Sequence, residues 1–253
     1  QSASLLKTAQ HRLLEKEFAR SLGIETVDYQ YVDEDTTGVQ VDGTYLMKTV
    51  RFGYDGKGQS RITEASQVQP YTLLERLVPL DKEISVVAYK DRTGIGIVAV
   101  VENEHRNNIL YRSIVPTTAS PEQEAQAIDY TRRILEAADY YGVLTVEFFI
   151  SQGRVIFNEM APRVHNSGHI MQSANKSQFR AHIEAICGLE VGPIQNQATT
   201  LYNILGQDLS YFLKLIQERP AHLHLYEKEP RQDRKIGHIN FPGHIRLEEP
   251  FIG

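Results

Sequence analysis

The chain has 253 residues, of which 41% are hydrophobic and 23% charged, a composition typical of globular proteins with one large or two smaller domains. Its net charge of −5 argues against a nucleic acid or an anionic membrane as partner. The single cysteine, Cys187, excludes an intrachain disulfide and favours a cytoplasmic location, and no apolar run is long enough to span a membrane. The chain starts at Gln1 and its first methionine is Met47, so we expect it to begin inside a longer gene product or after processing.

The first predicted elements are a helix, several strands and a glycine-rich loop. Segment 8–23 predicts a helix, because Leu14, Phe18 and Leu22 fall at i, i+4 and i+8 and Gly23 follows as a stop. Strands are predicted at 27–32, 43–50, 73–79, 83–90 and 95–101.

The strongest helix signal lies in segment 120–142. Ser120 is a predicted N-cap, Pro121 stands at the first helical position, Gln123 completes a capping box, and Gly142 is the predicted end. The later predicted elements are strands at 143–150 and 154–160 around the three-residue loop 151–153, a helix at 177–188 with Phe179, Ile183 and Ile186 on one stripe, and a helix near 210–217.

This order of elements favours one fold class. Helices and strands are mixed, and several strands are neighbours in sequence, which favours an α+β fold with antiparallel sheets and helices on one face over a strict βαβ repeat. The step Gly192–Pro193 is either a domain boundary or only a surface loop.

The loop 52–59 is rich in glycine and carries a lysine. Glycine lets the backbone approach a ligand, successive N–H groups can cradle phosphate oxygens, and Lys57 and Lys48 would neutralise phosphate charge. The pattern matches neither the Walker loop nor the dinucleotide fingerprint. The alternative is a solvated hairpin turn, because Asp55–Gly56 is a common turn signal.

Two glutamates stand inside apolar predicted strands. Glu147 and Glu159 have the same parity in the hairpin and therefore point to one face, which Phe149, Val155 and Phe157 are predicted to share. Two neighbouring carboxylates repel each other, and a Mg²⁺ ion bound between them would relieve that repulsion. The alternative is an exposed, charged sheet face, and a β-bulge would break the predicted geometry.

A polar stretch, residues 162–169, follows the second glutamate. Arg163 offers a planar fork for an anion, and His165 and Asn166 add donors, so an anion or oxyanion site is predicted. The alternative is a polar loop that caps a helix through Asn166 or Ser167.

A basic stretch lies near the end of the chain. Segment 226–238 either forms a solvated charged hairpin or holds a substrate phosphate. Its basic side chains before the final histidine are Lys228, Arg231, Arg234 and Lys235.

Together these stretches resemble a known family. The most specific are GYDGKGQ at 53–59 and NEMAPRVHNSGH at 158–169, supported by HRLLEKEFARSLGI at 11–24 and HLYEKEPRQDRKIGHIN at 224–240. They resemble the ATP-grasp superfamily and, within it, the N5-carboxyaminoimidazole ribonucleotide synthases. The resemblance implies an ATP-grasp domain at 8–190, in which two α/β subdomains clasp ATP, with a lid at about 44–75 and a small β-rich C-terminal domain at 193–253.

The resemblance also implies an activity. Bicarbonate attacks the γ-phosphate of ATP to give carboxyphosphate, which, or CO₂ released from it, carboxylates 5-aminoimidazole ribonucleotide in purine biosynthesis. The implied cofactors are ATP and Mg²⁺, and a homodimer is expected. Two alternatives are another ATP-grasp carboxylate–amine ligase and a truncated, non-catalytic ATP-binding paralogue. The family starts with a Rossmann-like domain that this sequence does not contain, so we expect either a truncated protein or part of a longer one.

Site residues are assigned by the same resemblance. The implied nucleotide site consists of Arg12 and Lys48 on the phosphates, the lid loop Gly53, Tyr54, Asp55, Gly56, Lys57, Gly58 and Gln59, the adenine hinge Glu75, Leu77 and Val78, Glu83 on the ribose, and His105, Asn158 and Glu159. Implied ligands of Mg²⁺ are Glu147 and Glu159. The implied catalytic residues at the bicarbonate or carboxyphosphate site are Arg163, His165 and Asn166, and the ribonucleotide contacts are Tyr54, Asp55, Arg163, Lys228 and Arg234. His11 departs from the family, which has Asp at that position.

Overall fold

The computed structural model describes residues 3–53 and 58–247. Its helices are α1 Ala3–Ala9, α2 Arg12–Ser21, α3 Pro121–Ala137, α4 Gln178–Ile186 and α5 Leu209–Glu218, with 3-10 turns at Ala65–Gln67, Ser167–Ser173 and Gly206–Asp208. Its strands are β1 Tyr29–Val32, β2 Tyr45–Thr49, β3 Gln59–Ile62, β4 Thr72–Arg76, β5 Lys82–Asp91, β6 Gly94–Arg106, β7 Ile109–Val115, β8 Gly142–Ser151, β9 Arg154–Ala161, β10 Thr199–Leu205, β11 His222–Leu225 and β12 Lys235–Pro242. None of the described helices is long and apolar enough to cross a membrane.

The large sheet has eight antiparallel strands in the order β11-β12-β10-β7-β6-β5-β8-β9. Ile84 and Val86 of β5 pack into a core with α3, whereas Val87 and Tyr89 pack into a second core with α4. The expectation of helices on one face is therefore wrong. The reason is the apolar run in β5, because a strand that is hydrophobic on both sides needs a covering layer on each. The α+β class itself is confirmed.

The small sheet has four antiparallel strands in the order β1-β4-β2-β3. Its own core contains Val32, Tyr45, Met47, Ile62 and Leu74. Lys48 of β2 pairs with Gln59 of β3, so the two strands that flank the glycine-rich stretch are antiparallel neighbours. The predicted lid, 44–75, falls within this sheet, and its bounds stay a prediction.

Strands β10, β11 and β12 continue the large sheet, because β10 pairs with β7. On the α5 side they carry a separate core built around Tyr202, Phe212, Ile239 and Phe241. The predicted domain limits, 8–190 and 193–253, stay predictions, since the described strands of both segments share one sheet.

The helices differ in detail from the sequence-based prediction. The helix predicted at 8–23 is two helices, and on α2 the buried side chains are Glu15, Lys16 and Ala19. In α3 the capping box of Ser120 and Gln123 is present, but the helix ends at Ala137. The predicted stripe of α4 (Phe179, Ile183 and Ile186) is its exposed side.

A tight hairpin joins β8 to β9. Ser151 pairs with Arg154, so the β8–β9 loop has two residues instead of the predicted three. Both of them, Gln152 and Gly153, have positive φ, 51° and 79°, as a type I′ turn requires.

Candidate functional site

A cleft of about 830 Å³ lies between the small sheet and the large sheet. It gathers most of the residues that the sequence predicts for the site. These are Arg12, Lys48, Gly53, Gln59, Leu77, Val78, Glu83, His105, Glu147, Asn158, Glu159, Arg163, His165 and Asn166. The apolar side chains of Leu46, Leu80, Leu110 and Phe149 line the same cleft.

The remaining predicted residues lie elsewhere. Tyr54, Asp55, Gly56 and Lys57 lie outside the described residues. The cleft lining does not include Gly58, Glu75, Lys228 or Arg234. Glu75 is buried beneath the cleft, and Lys228 and Arg234 are exposed on the segment before β12. Their predicted roles stay predictions.

A β-bulge brings the two glutamates face to face. Phe148 pairs with Phe157, but Glu147 pairs with Glu159, so Asn158 is the extra residue. A regular ladder would have placed Asn158 opposite Glu147. The bulge therefore creates the predicted pairing instead of breaking it.

The same bulge overturns part of the predicted face. Val155 and Phe157 are fully buried in the core beside α3, together with Phe148. Only Phe149 shares the cleft with the two glutamates. The one-residue shift at the bulge is the reason, because side chains alternate between faces along a strand.

Each glutamate has a cationic or hydrogen-bonding neighbour. His165 Nε2 lies 3.0 Å from Glu147 Oε1, and Arg12 Nη1 lies 3.2 Å from Glu159 Oε2. Burial alone would raise the pKa of Glu147, but the hydrogen bond from His165 and the neighbouring positively charged side chains, among them Arg163, together outweigh burial and lower that pKa below its ordinary value. Glu147 is therefore held as a carboxylate, the form that binds a cation.

The oxygens at this point suit a hard cation. Asn158 Oδ1 is buried and has no hydrogen-bond partner within the described part of the chain. It stands on the bulge between the two carboxylates, and such oxygen ligands fit Mg²⁺, which binds through few protein groups and keeps several waters. Residues 3–53 and 58–247 hold no cluster of three or more acidic, histidine or cysteine side chains that could bind a metal.

A buried lysine holds the bulge in place. Lys16, which is 1% exposed, donates from Nζ to the carbonyl oxygens of Phe157 at 3.3 Å and Asn158 at 2.8 Å. Its third neighbour is Glu75 Oε1 at 3.3 Å. Two hydrogen bonds and one ion pair therefore engage the ammonium group, so α2 fixes the backbone that aims the glutamates.

Glu75 links this lysine to the small sheet. Its other oxygen, Oε2, accepts a hydrogen bond from Lys48 Nζ at 2.5 Å. Burial alone would raise the pKa of Glu75, but Lys16 and Lys48 outweigh burial and lower it to about 2. Glu75 thus positions Lys48 at the cleft from below.

Glu15 is the second buried charge of α2. Its Oε1 accepts a hydrogen bond from the backbone N–H of Met160 at 2.6 Å. Burial and the nearby Glu159 raise the pKa of Glu15 well above its ordinary value. The raised pKa favours the neutral form of Glu15, which adds no further negative charge beneath Glu159.

Glu83 of β5 and His105 of β6 form a second pair on the large-sheet side of the cleft. His105 Nδ1 lies 2.8 Å from Glu83 Oε2. Burial would lower the pKa of His105, but the hydrogen bond to Glu83 and the negative charges of Glu83 and Glu147 together outweigh burial and raise the pKa above its ordinary value. The pair keeps the Glu83 carboxylate oriented at the cleft.

The polar stretch 162–169 borders the cleft and leads into a 3-10 turn, and its predicted role as an anion site stays a prediction. Asn166 stands at the N-cap of the 3-10 turn Ser167–Ser173, but its side chain makes no capping bond. Instead Asn166 lines the cleft with Arg163 and His165. Gln178 clamps the backbone of His165, accepting from its N–H at 2.9 Å and donating to its carbonyl at 2.8 Å.

Sequence reasoning missed several residues of this site. Lys16 and Glu15 were not singled out, although Arg12, Lys16 and Ala19 recur at helical spacing, which was the available signal. Lys235 was noted only as part of a basic run, yet it is the member of that run that lines the cleft.

Comparisons with known proteins agree with this geometry. The ATP-grasp domain family matches residues 17–179, and the phosphoribosylaminoimidazole carboxylase C-terminal domain family matches residues 199–247. The chain is 38% identical over 253 residues to N5-carboxyaminoimidazole ribonucleotide synthase of Brucella melitensis, covering 92% of this chain and 70% of that protein. Identity to the Bacillus subtilis synthase is 35%, covering 95% of this chain and 68% of that protein.

A solved structure agrees as well. The crystal structure of N5-carboxyaminoimidazole synthetase from Staphylococcus aureus complexed with ADP is 31% identical, with a TM-score of 0.85. The match covers 95% of this chain and 69% of that chain. The fold, the motifs and these relatives agree, and the chain belongs to the N5-carboxyaminoimidazole ribonucleotide synthase family of the ATP-grasp superfamily.

Proposed function

We propose that this chain carboxylates 5-aminoimidazole ribonucleotide with ATP and bicarbonate, the activity for which its relatives are named. A bicarbonate oxygen bonds to the γ-phosphorus of ATP while the bond to ADP breaks, which gives carboxyphosphate. The amine nitrogen then bonds to the carboxyl carbon, directly or through released CO₂. Phosphate leaves, and the amine loses a proton.

One observation carries this proposal. The carboxylates of Glu147 and Glu159 are cross-strand neighbours that open into the same cleft as Arg163, His165 and Asn166. A cation site beside an anion-binding group of this kind suits a reaction in which a phosphoryl group moves onto a small oxyanion. A purely nucleotide-binding module has less need for the second group.

The side chains have separate tasks in this reaction. Lys48 and Arg12 stabilise negative charge on the ATP phosphates, and the apolar wall with Leu77 and Val78 receives the adenine. Arg163, with its planar fork, orients bicarbonate and carboxyphosphate. Glu147, Glu159 and the Asn158 oxygen would hold Mg²⁺, which supplies charge neutralisation on the transferring phosphoryl group.

The basic side chains at the start of β12 and just before it complete the proposal. Lys235 lines the cleft, and Lys228 and Arg234 lie on the segment that precedes it. Positive charge there suits the phosphate of the ribonucleotide. A homodimer and a cytoplasmic location are further parts of the proposal, and both rest on the family resemblance and composition.

The test is the substitution Glu159→Gln in the full chain. We expect it to abolish ATP turnover that depends on bicarbonate and aminoimidazole ribonucleotide, while circular dichroism and thermal unfolding remain close to the parent, because a neutral amide no longer holds the cation. Glu190→Gln, at an exposed position, is the control and retains activity. Parent-like turnover in Glu159→Gln would refute the assignment.

The same assay separates the rival functions. ADP release that requires a different carboxylate substrate, and not bicarbonate, would indicate another ATP-grasp ligase. Nucleotide binding by calorimetry without any turnover of the parent chain under saturating substrates would indicate a non-catalytic module. Either result overturns the carboxylase proposal.

A further inference from the structure

A chain of buried polar side chains crosses the large sheet beneath the cleft. Ser113 Oγ of β7 donates to Asn103 Oδ1 of β6 at 2.8 Å, and Asn103 Nδ2 donates to Ser85 Oγ of β5 at 3.0 Å. Ser85 Oγ donates in turn to Ser167 Oγ at 3.0 Å. Three of the four side chains have no exposed surface and Asn103 is 6% exposed, so water does not substitute for these bonds.

The chain ends on the imidazole of His165. Ser167 Oγ lies 2.9 Å from His165 Nδ1, and the backbone N–H of Ser167 donates to the same nitrogen at 3.3 Å. A backbone N–H can only donate, so Nδ1 must be an acceptor. In a neutral imidazole the other nitrogen then carries the hydrogen, which places Nε2–H against Glu147 Oε1 at 3.0 Å. We assign the tautomer from these partners.

The serines are not needed to anchor the backbone around His165. Gln178 already holds both the N–H and the carbonyl of His165. Asn240 Nδ2 donates to the carbonyl of His169 at 2.9 Å, farther along the same turn. The hydroxyl of Ser167 instead acts on the ring, and Ser85 is aimed at that hydroxyl.

We propose that Ser167, Ser85 and Asn103 are positioning residues that hold His165 in its Nε2–H form, so that His165 presents a hydrogen-bond donor to the cleft and not a base at Nδ1. The donor is directed to Glu147 and lies beside Arg163 and Asn166, where an oxyanion would sit. The identity of that oxyanion as bicarbonate or carboxyphosphate rests on the proposed function. The tautomer and its cause rest only on the contacts around the ring.

The first test measures the ring directly. Long-range proton–nitrogen NMR spectra of the full, uniformly ¹⁵N-labelled chain without added metal report which ring nitrogen is protonated, and His165→Gln assigns the signals. We expect the neutral ring in the parent to show Nε2 protonated and Nδ1 bare. A ring protonated at Nδ1 in the parent overturns the proposal.

The second test compares three serine substitutions. Ser167→Ala removes the hydroxyl that faces Nδ1, and Ser85→Ala removes the partner behind it. Ser151→Ala is the matched control, because Ser151 is also fully buried in the sheet and its hydroxyl has no hydrogen-bond partner among the residues described. Since a single hydrogen bond is at stake, we expect kcat to fall about 3- to 10-fold in Ser167→Ala and less in Ser85→Ala, with the KM for ATP unchanged.

The NMR spectra must change together with kcat. In Ser167→Ala we expect the Nδ1 signal to move or broaden, while Ser151→Ala keeps both the spectrum and kcat of the parent. If Ser167→Ala does not fold, Ser85→Ala carries the comparison. Unchanged ring signals and unchanged kcat in both Ser167→Ala and Ser85→Ala would refute the proposal. An equal loss of kcat in Ser151→Ala would also refute it, because it would show a role in packing alone. A parent with the expected tautomer but no bicarbonate-dependent turnover would refute the proposed function and leave the positioning role standing.

Discussion

The substitution Glu75→Gln tests the buried charge network that joins the two sheets. The carboxylate of Glu75 lies between the ammonium groups of Lys16 and Lys48, at 3.3 and 2.5 Å, and all three side chains are at most 5% exposed. The pKa of Glu75 falls from an ordinary value of 4.5 to about 2, which corresponds to about 3 kcal/mol of stability. Removing the partner of a buried charge costs roughly 3–5 kcal/mol in measured cases, so both lines of reasoning agree.

The assay is chemical and thermal unfolding of the full chain at pH 7. We expect the free energy of unfolding to fall by about 3 kcal/mol, and the midpoint temperature by roughly 6–12 °C for a chain of this size. Because the folded pKa lies below the ordinary one, the contribution of Glu75 is present above pH 4.5 and is lost as the pH falls towards 2. The difference in the free energy of unfolding between the parent and Glu75→Gln must therefore become smaller below pH 4.5.

The control is Glu17→Gln, an exposed position on α2 that should change the stability by less than about 0.5 kcal/mol. A loss below about 1 kcal/mol in Glu75→Gln at pH 7 would refute the reasoning. A difference in unfolding free energy that stays constant down to pH 2 would also refute the reasoning, because the charge of Glu75 would then not be the source of that difference.

Three further outcomes follow from the structure. Burial lowers the pKa of His169 to about 4 and of His238 to about 3, so the unfolded chain takes up protons before the folded chain does. The free energy of unfolding should therefore fall as the pH drops from 6.5 to 4, by up to about 2.7 kcal/mol per pH unit. Unfolding of the parent and of His238→Asn at several pH values checks this, and an equal dependence of the unfolding free energy on pH in the variant contradicts it. Gly168→Ala should lower kcat, because the added carbon would meet Gln178 Oε1 at 2.1 Å and break the hydrogen bonds of Gln178 to the backbone of His165. Steady-state kinetics check this, and a parent-like kcat contradicts it. Gln152→Asn should stabilise the chain by roughly 0.5 kcal/mol, because Asn suits the positive φ of a type I′ turn better than Gln; urea unfolding checks this, and any loss of stability contradicts it.

The pairing of Glu147 with Glu159 could be predicted because charged residues interrupt two apolar strands at matched parity. The bulge at Asn158 could not, because Val155, Ile156 and Phe157 are apolar on both faces of β9, and a one-residue shift does not show in such a run. Its cause lies far away in sequence, in the ammonium group of Lys16 on α2. A lysine in a helix normally indicates a solvated side, and only the assembled fold shows that this one is buried.

A turn signal was also present and overlooked. Asn107 and Asn108 have positive φ, 49° and 63°, and join β6 to β7, a strand that the sequence analysis did not predict. Asparagine tolerates this backbone region, so the pair could have indicated a hairpin. The strand β7 that it introduces carries Ser113, the start of the polar chain beneath His165.

The order of strands in the large sheet has a consequence for dissecting the chain. β10 covers the hydrogen-bonding edge of β7, although residues 116–198 separate the two strands in sequence. A fragment cut at residue 193 would leave that edge unpaired, as a row of amide and carbonyl groups that invites pairing with another molecule. Aggregation of such a fragment would reflect this exposed edge, because the segments matched by the two families share one sheet.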